Sequence, residues 1–173
     1  MGVHDTGQPH APDDDESFAW FFTAEYPQVV RLLGVVVRDR GTAEELAQEA
    51  FVRLHRHWSK VRRFDSPEAW VRRVALNRAF SWRRREARRR GLELAAAGPP
   101  IPSANCTDDQ LDVLRAVRSL PPRDRALVAL YHLEDRPLDE VATVLGITPG
   151  AAKVALHRAR RRLAAHLSQE MTS

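Results

Sequence analysis

The sequence predicts an all-α protein of two small helical domains joined by a flexible linker. Apolar residues recur at spacings of three and four along several long stretches, which is typical of amphipathic helices. Capping residues stand where these stretches begin and end, and no stretch shows the alternation of a half-buried strand. Residues 91–107 are rich in Pro, Gly and Ala without apolar periodicity, as expected for a linker. The predicted domains are residues 17–90 and 108–168, each with its own core, and residues 1–16 are predicted to be a disordered acidic N-terminus.

The first two predicted helices follow this N-terminus. A wide apolar face runs from Phe18 to Val36, and Pro27 is expected to kink or break the helix. Thr42 and Glu45 stand three residues apart and predict a capping box at the start of the second helix. The exposed face of that helix is predicted to carry Glu45, Gln48, Glu49 and Val52. Its carboxylates could balance neighbouring arginines, or they could dock a basic protein partner.

A long third helix is predicted from the Ser66–Pro67 cap to the arginine run that ends at Arg90. It interleaves arginines with aromatic and amide side chains: Trp70, Arg72, Arg73, Asn77, Arg78, Phe80, Trp82, Arg83 and Arg84. Arginines neutralise phosphates, aromatic rings stack on unpaired bases, and Asn77 can make two hydrogen bonds to a base edge. The mixture favours contact with melted or single-stranded DNA. The alternative is that the aromatic rings belong to the core and the arginines face solvent.

The C-terminal part predicts helices over residues 108–119 and from Pro121–Pro122 onward, followed by a helix-turn-helix. Gly146 ends the first helix of that motif, and Thr148 with Pro149 begins the second. The second helix has a predicted buried stripe of Ala152, Leu156, Ala159 and Leu163. Its other face carries Lys153, Val154, His157, Arg158 and Arg161. The motif indicates a helix that enters a DNA major groove, and the alternative is a helical hairpin with a solvated basic face.

Composition narrows the function classes. The net charge is +4 and the pI about 9.9, which favours a polyanionic partner. The lone Cys106 excludes an internal disulfide and a cysteine-based zinc site, and it fits a cytoplasmic protein. No apolar run approaches the length of a membrane span. There is no glycine-rich phosphate loop, and His55 and His57 are two apart and cannot share a helix face. No enzyme, metal, cofactor or small-molecule substrate is therefore predicted.

Three runs in order resemble one known family. They are AEELAQEAF at residues 43–51, WVRRVALNR at 70–78 and LHRARRRL at 156–163. With the two tethered helical domains, they are similar to a bacterial RNA polymerase sigma factor of the extracytoplasmic-function (ECF) group of the sigma-70 family. The resemblance implies a region 2-like bundle and a region 4-like helix-turn-helix. It also implies a promoter-specificity subunit that binds core RNA polymerase and directs transcription initiation, commonly held by an anti-sigma factor.

The resemblance also implies roles for individual residues. The residues implied to contact the β′ clamp helices of core polymerase are Glu45, Leu46, Gln48, Glu49 and Phe51. The set for opening the minus-10 element is Phe64, Asp65, Ser66, Trp70, Arg73, Asn77, Arg78 and Arg84. The set for reading the minus-35 element is Thr148, Lys153, Val154, His157, Arg158 and Arg161. The linker would thread toward the polymerase active centre and the RNA exit path, and the β subunit of core polymerase is a further implied partner.

One departure from the family pattern lies on the predicted reading helix. The family often has Ser or Arg where this chain has Val154 and Ala155, so fewer side-chain hydrogen bonds to bases are available. Two other functions stay open at this stage. One is a helix-turn-helix regulator that binds duplex DNA without being a polymerase subunit. The other is a helical adaptor that binds only protein, against which the arginine–aromatic helix argues.

Overall fold

The computed structural model describes residues 14–91 and 108–170, and within them every regular element is helical. This confirms the all-α prediction. The helices are α1 (Asp14–Val37), α2 (Arg40–Arg56), α3 (Trp58–Val61), α4 (Pro67–Arg90), α5 (Asp108–Ser119), α6 (Pro122–Val128), α7 (Leu138–Leu145) and α8 (Pro149–Glu170). A π-helical turn, Ala129–Leu133, extends α6. The predicted linker lies outside the described residues, apart from Gly91.

Helix α1 starts earlier than predicted and is not broken. Three acidic residues predicted to be disordered form its first turn, where negative charge complements the positive end of the helix dipole. Among them, Asp14 forms a 2.7 Å ion pair with Arg62. The helix continues through Pro27, so the predicted break is wrong. Pro27 lies on the exposed side, where the carbonyl of Thr23 that loses its N–H donor can bond to water.

The start of α2 corrects another prediction. The N-cap is Asp39, not Thr42, and the helix begins at Arg40. Asp39 has an extended backbone, and its Oδ2 accepts a hydrogen bond from the Thr42 backbone N–H at 2.7 Å. The predicted capping box used Thr42 as the acceptor. Asp39 satisfies the donors of the first turn instead, because the left-handed Arg38 (φ 69°) turns the chain just before it.

Replacing Asp39 with alanine should lower the free energy of unfolding by about 1 kcal/mol, since it removes this cap. The backbone hydrogen bond from Thr42 lowers the pKa of the Asp39 carboxyl. Its stabilisation is therefore complete at neutral pH and is lost as the pH falls through that lowered pKa. Urea denaturation at pH 7 measures the difference. Asp65→Ala removes the same charge from an exposed loop position and serves as the control. Equal losses in both variants would contradict the capping role.

Helix α4 and the helix-turn-helix begin and end as predicted. The Ser66 Oγ accepts the Ala69 backbone N–H at 3.1 Å, and α4 ends at the left-handed Gly91. Gly146 ends α7 with φ 66°, a left-handed conformation that an L side chain rarely adopts. The Thr148 Oγ1 accepts the Ala151 backbone N–H at 3.2 Å and caps α8. These local signals fix the corner between α7 and α8.

The expectation that each domain buries a separate core is wrong. Helix α1 packs against α2 and α4 in the N-terminal half and also against α6, while α4 packs against α7. As a result, the buried side chains of both halves form one contiguous apolar cluster. The stripe predicted on α8 joins it through Leu156 and Ala159, with Ala152 fully buried and Leu163 half-buried beside them. The two helical units are thus seen in a packed arrangement, which we call the closed form.

An ion-pair bridge crosses the junction between the halves. Arg72 of α4 is 2% exposed. Its Nε donates to Glu134 Oε2 at 2.6 Å, and its Nη1 donates to Glu25 Oε2 at 2.6 Å. Glu134 belongs to the C-terminal half and is also held by Arg136 at 2.9 Å. The sequence pattern places Arg72 among the arginines predicted to face DNA. That prediction is wrong because the Arg72 side chain is already paired with the carboxylates of Glu25 and Glu134.

Candidate nucleic-acid interface

The exposed face of α2 has the predicted acidic and amide character. Glu45, Gln48 and Glu49 are exposed, and Val52 beside them is 53% exposed. Two further residues of the proposed polymerase-binding set, Leu46 and Phe51, are instead buried, at 5% and 2% exposure. Phe51 packs against Phe22 and Tyr26 of α1. Leu46 and Phe51 therefore pack beneath this face, and the side chains available for a partner are Glu45, Gln48, Glu49 and Val52.

A groove of about 460 Å³ lies between α2 and α4. It gathers four members of the predicted minus-10 set: Trp70, Arg73, Asn77 and Arg78. It is also lined by Arg53 and Arg85, which were not among the predicted DNA-binding residues. A cleft with a half-buried indole, an exposed amide and four guanidinium groups can stack an unpaired base, bond to its edge and neutralise its phosphates.

An ion pair connects this groove to the acidic face of α2. Arg78 Nη1 donates to Glu49 Oε2, and both side chains are partly exposed. The two residues were predicted to serve different partners, and the structure brings them into contact. A pair this exposed adds little to stability. It does fix the Arg78 guanidinium at the rim of the groove.

The loop before α4 carries three more residues of the predicted minus-10 set. Phe64 is 40% exposed and Asp65 is exposed, so both are available to a ligand. The Ser66 hydroxyl caps α4 and also bonds to Glu68 Oε2 at 3.1 Å, so its side chain is already occupied. Arg84, further along α4, is exposed and donates to Ser81 Oγ at 3.0 Å.

The C-terminal half contacts one edge of the groove. A Cβ atom on Gly146 would come within 3.4 Å of Arg73 Nη2, so the guanidinium lies against the corner of the helix-turn-helix. Helices α4 and α7 pack together along this line. In the closed form, Arg73 at the edge of this surface therefore contacts the helix-turn-helix, although its side chain remains exposed to solvent.

The predicted reading face of α8 is open to solvent. Lys153, His157, Arg158 and Arg161 are exposed, and Val154 is 66% exposed. Thr148 stands at the N-terminus of the helix, where backbone N–H groups favour an anion. This face is basic at both ends and apolar near its centre, which is compatible with phosphate contacts around a small apolar contact to bases.

One residue of this face has a structural partner that the sequence did not reveal. Arg158 Nη2 donates to Asp124 Oδ1 at 3.0 Å, and Arg162 Nη1 donates to Asp124 Oδ2 at 3.1 Å. The Asp124 side chain is 7% exposed, so the two arginines neutralise a buried carboxylate on α6. Arg158 consequently holds α8 to α6 as well as facing the solvent.

The described residues contain neither a metal-binding group nor a membrane-spanning helix. Within residues 14–91 and 108–170, no group of His, Cys, Asp and Glu side chains is arranged to hold a metal ion. Over the same residues, every helix is too short or too polar to span a bilayer.

Two family models match the chain. Sigma-70 region 2 matches residues 21–89, and sigma-70 region 4 matches residues 110–163. The first match covers the α2–α4 groove, and the second covers the helix-turn-helix. Their order along the chain is the order predicted from the three sequence runs.

Curated relatives carry the same description. The chain is 35% identical over 157 residues to the ECF RNA polymerase sigma factor SigF of Caulobacter vibrioides, covering 82% of this chain and 85% of that protein. It is 30% identical over 129 residues to the RNA polymerase sigma-E factor of Streptomyces coelicolor, covering 74% and 73%. A longer relative is named "Probable RNA polymerase sigma factor RfaY" in Xanthomonas campestris. The identity there is 28%, and the chain spans 43% of its length.

Solved structures share the fold. The sigma factor RpoE of Bartonella quintana, determined with the anti-sigma factor NepR, gives a TM-score of 0.75 at 19% identity over 88% of this chain and 97% of that one. CnrH, determined with the cytosolic domain of CnrY, gives 0.65 at 20% identity over 90% of each chain. At these identities the likeness concerns the fold alone. Together with the family models and the curated relatives, it leads to one assignment. The chain belongs to the extracytoplasmic-function group of the sigma-70 family, the promoter-specificity subunits of RNA polymerase.

Proposed function

We propose that this chain docks on core RNA polymerase through α2, opens the minus-10 element in the α2–α4 groove and reads the minus-35 element with α8. The observation that carries the proposal is the groove itself, where Trp70, Asn77 and four arginines meet beside an acidic helix face. The chain acts as a cytoplasmic subunit without catalytic chemistry of its own, and the bond-forming step belongs to the polymerase.

The acidic face of α2 suits a basic protein surface better than DNA. Glu45 and Glu49 with Gln48 present carboxylate and amide groups to solvent, and DNA would repel the carboxylates. The β′ clamp helices of core polymerase are the proposed partner. Because Leu46 and Phe51 are buried, we assign them a supporting role beneath this face.

Base capture is assigned to the groove and the adjoining loop. Taking a base out of the duplex costs a few kcal/mol, and stacking in a pocket can offset that cost. Trp70 and Phe64 supply aromatic faces, and Asn77 supplies an amide that can bond to a base edge. Arg73, Arg78 and Arg84 supply positive charge that can neutralise the phosphates of the displaced DNA strand.

Reading of the minus-35 element is assigned to the exposed face of α8. Lys153 and Arg161 are exposed basic groups for phosphates or base edges, and His157 and Val154 lie between them. The second helix of a helix-turn-helix enters the major groove with its N-terminal residues nearest the bases. Thr148 and Lys153 lie in that N-terminal part of α8.

A rearrangement of the closed form on binding is part of the proposal. Arg73 is exposed but contacts the Gly146 corner, so access to this edge of the groove widens when the C-terminal half moves away from α4. Binding energy from the polymerase is the proposed source of this change. An anti-sigma factor is a further proposed partner, since the Bartonella protein with this fold was determined with one bound.

Reconstitution with sigma-free core polymerase tests the proposal. We expect a stable holoenzyme on size-exclusion chromatography and run-off transcripts from genomic DNA of the host. A variant with Glu45→Lys and Glu49→Lys should lose holoenzyme formation while retaining its helical circular dichroism. Lys60→Glu, which reverses the charge of an exposed side chain on α3, is the control. Tight binding to duplex DNA without polymerase, with no transcript from any host DNA, would instead support a stand-alone regulator.

A further inference from the structure

Four arginines converge at the junction between the two halves, away from the surfaces assigned above. They are Arg38 after α1, Arg83 on α4, Arg118 near the end of α5 and Arg125 on α6. Helices α1, α4 and α5 all pack against α6, so both halves of the chain contribute to the cluster. Four guanidinium groups at a packed junction repel one another unless negative charge lies among them.

Arg125 is the most deeply buried of the four, at 2% exposure. Its Nε and Nη1 atoms are buried and have no hydrogen-bond partner. Arg83 donates from Nη1 to the Val36 carbonyl at 3.3 Å, and its Nε is also buried without a partner. Among the described residues, neither side chain pairs with a carboxylate. Unsatisfied buried donors are rare and costly, so their presence on two neighbouring cations needs an explanation.

The electrostatics agree with the geometry. Burial, followed by the charges of Arg83, Arg38 and Arg118, lowers the pKa of Arg125 to about 9. Burial and the charge of Arg38 likewise lower the pKa of Arg83. Arg125 therefore remains mostly cationic at neutral pH. A planar guanidinium presents parallel N–H donors that match two oxygens of one oxyanion.

We infer that Arg38, Arg83, Arg118 and Arg125 form a binding site for a compact oxyanion of the phosphate or diphosphate class. An anion there would supply acceptors for the Nε and Nη1 atoms of Arg125 and for the Nε of Arg83. It would also connect Arg83 of the N-terminal half to Arg125 of the C-terminal half and so stabilise the closed form. Because Arg125 is buried between packed helices, the proposed ligand is limited to a compact anion, and a nucleic-acid duplex is excluded.

The test uses the full chain without DNA or polymerase, at fixed ionic strength. Inorganic phosphate, inorganic pyrophosphate and ADP are the probes, so that a free anion is distinguished from the diphosphate group of a nucleotide. We expect at least one probe to raise the Tm by about 5 °C or more at about a hundred times its Kd. Small-angle X-ray scattering should then show a radius of gyration equal to or smaller than that of the free protein.

Three variants locate the effect. Arg125→Gln and Arg83→Gln should each abolish most of the anion-dependent rise in Tm. Arg88→Gln removes one charge from an exposed position on α4 and should retain the rise. Without anion, Arg125→Gln should unfold at the same temperature as the parent or higher, because an unpaired buried charge has been removed. This result also shows that the variant is folded.

Three outcomes would overturn the site. The first is no rise in Tm with any probe. The second is an equal rise in the parent and all three variants, which would mean that the anions bind the arginine-rich surface in general. The third is a lower Tm for Arg125→Gln in the absence of anion, which would mean that Arg125 is already stabilised by a partner in the protein.

Discussion

Arg72→Met is expected to lower the free energy of unfolding by about 3–5 kcal/mol, the usual effect of removing one partner from a buried ion pair. The substitution keeps most of the side-chain volume but leaves Glu25 and Glu134 without the cation between them. Those two carboxylates are 19% and 10% exposed, so water replaces Arg72 only in part. Urea denaturation followed by circular dichroism measures the loss. A variant as stable as the parent would mean that the bridge contributes nothing.

The two arms of the bridge can be tested separately. Glu134→Gln weakens the arm that crosses the junction, and Glu25→Gln weakens the arm within the N-terminal half. Both changes remove one charge and preserve the shape of the side chain. We expect Glu134→Gln to increase the radius of gyration in scattering, because the halves separate more readily. Glu25→Gln should lower stability without this expansion. Equal expansion in both variants would show that the bridge acts only through general stability.

The ion-pair bridge stabilises the closed form, whereas the arginine cluster destabilises it. Arg72 holds the halves together through Glu134, whereas Arg83 and Arg125 repel across the same junction. We expect this opposition to keep the free-energy difference between the closed form and an open one small enough for a binding partner to supply. Moving the Gly146 corner away from Arg73 would widen access to the edge of the groove. Glu134→Gln should accordingly form holoenzyme at lower polymerase concentration than Glu25→Gln does.

Local signals predicted the element ends well where a residue acts on backbone groups of its own turn. Ser66, Thr148 and Gly146 act within three residues of their own positions, so their roles are visible in the sequence. Asp39 shows the limit of this reasoning. Asp39 and Thr42 both lie near the start of α2, and the backbone conformation at Arg38 decides between them. That conformation depends on how α1 packs against α2.

The roles of the arginines could not be predicted from the sequence. Arg72 and Arg73 are adjacent and chemically identical, yet one is buried in an ion-pair bridge and the other lines the groove. The partners of Arg72 lie 47 and 62 residues away along the chain. Charge patterning indicated a basic helix but gave no information on long-range pairs. The same holds for Arg158, whose partner Asp124 lies on α6.

Asn77→Ala and Lys153→Ala should fail at different steps of initiation. Asn77 lines the groove, so its loss should slow promoter opening by about 10-fold to 100-fold, the value of one bidentate base contact. Lys153 is exposed on α8, so its loss should weaken binding to the minus-35 duplex and reduce the salt dependence by about one counterion. Lys153 is a better choice than Arg158, because Arg158→Ala would also remove one of the two arginine partners of the buried Asp124.

Two assays on the holoenzyme separate these steps. Fluorescence of 2-aminopurine placed in the minus-10 element reports opening, and anisotropy of a labelled minus-35 duplex reports closed binding. Lys60→Ala removes the charge of an exposed side chain on α3 and should change neither signal. If Asn77→Ala and Lys153→Ala both reduce duplex binding and leave the opening rate of bound complexes unchanged, the groove does not capture bases. The assignment of base capture to α4 and of minus-35 reading to α8 would then be wrong, because a single DNA-binding surface would account for both variants.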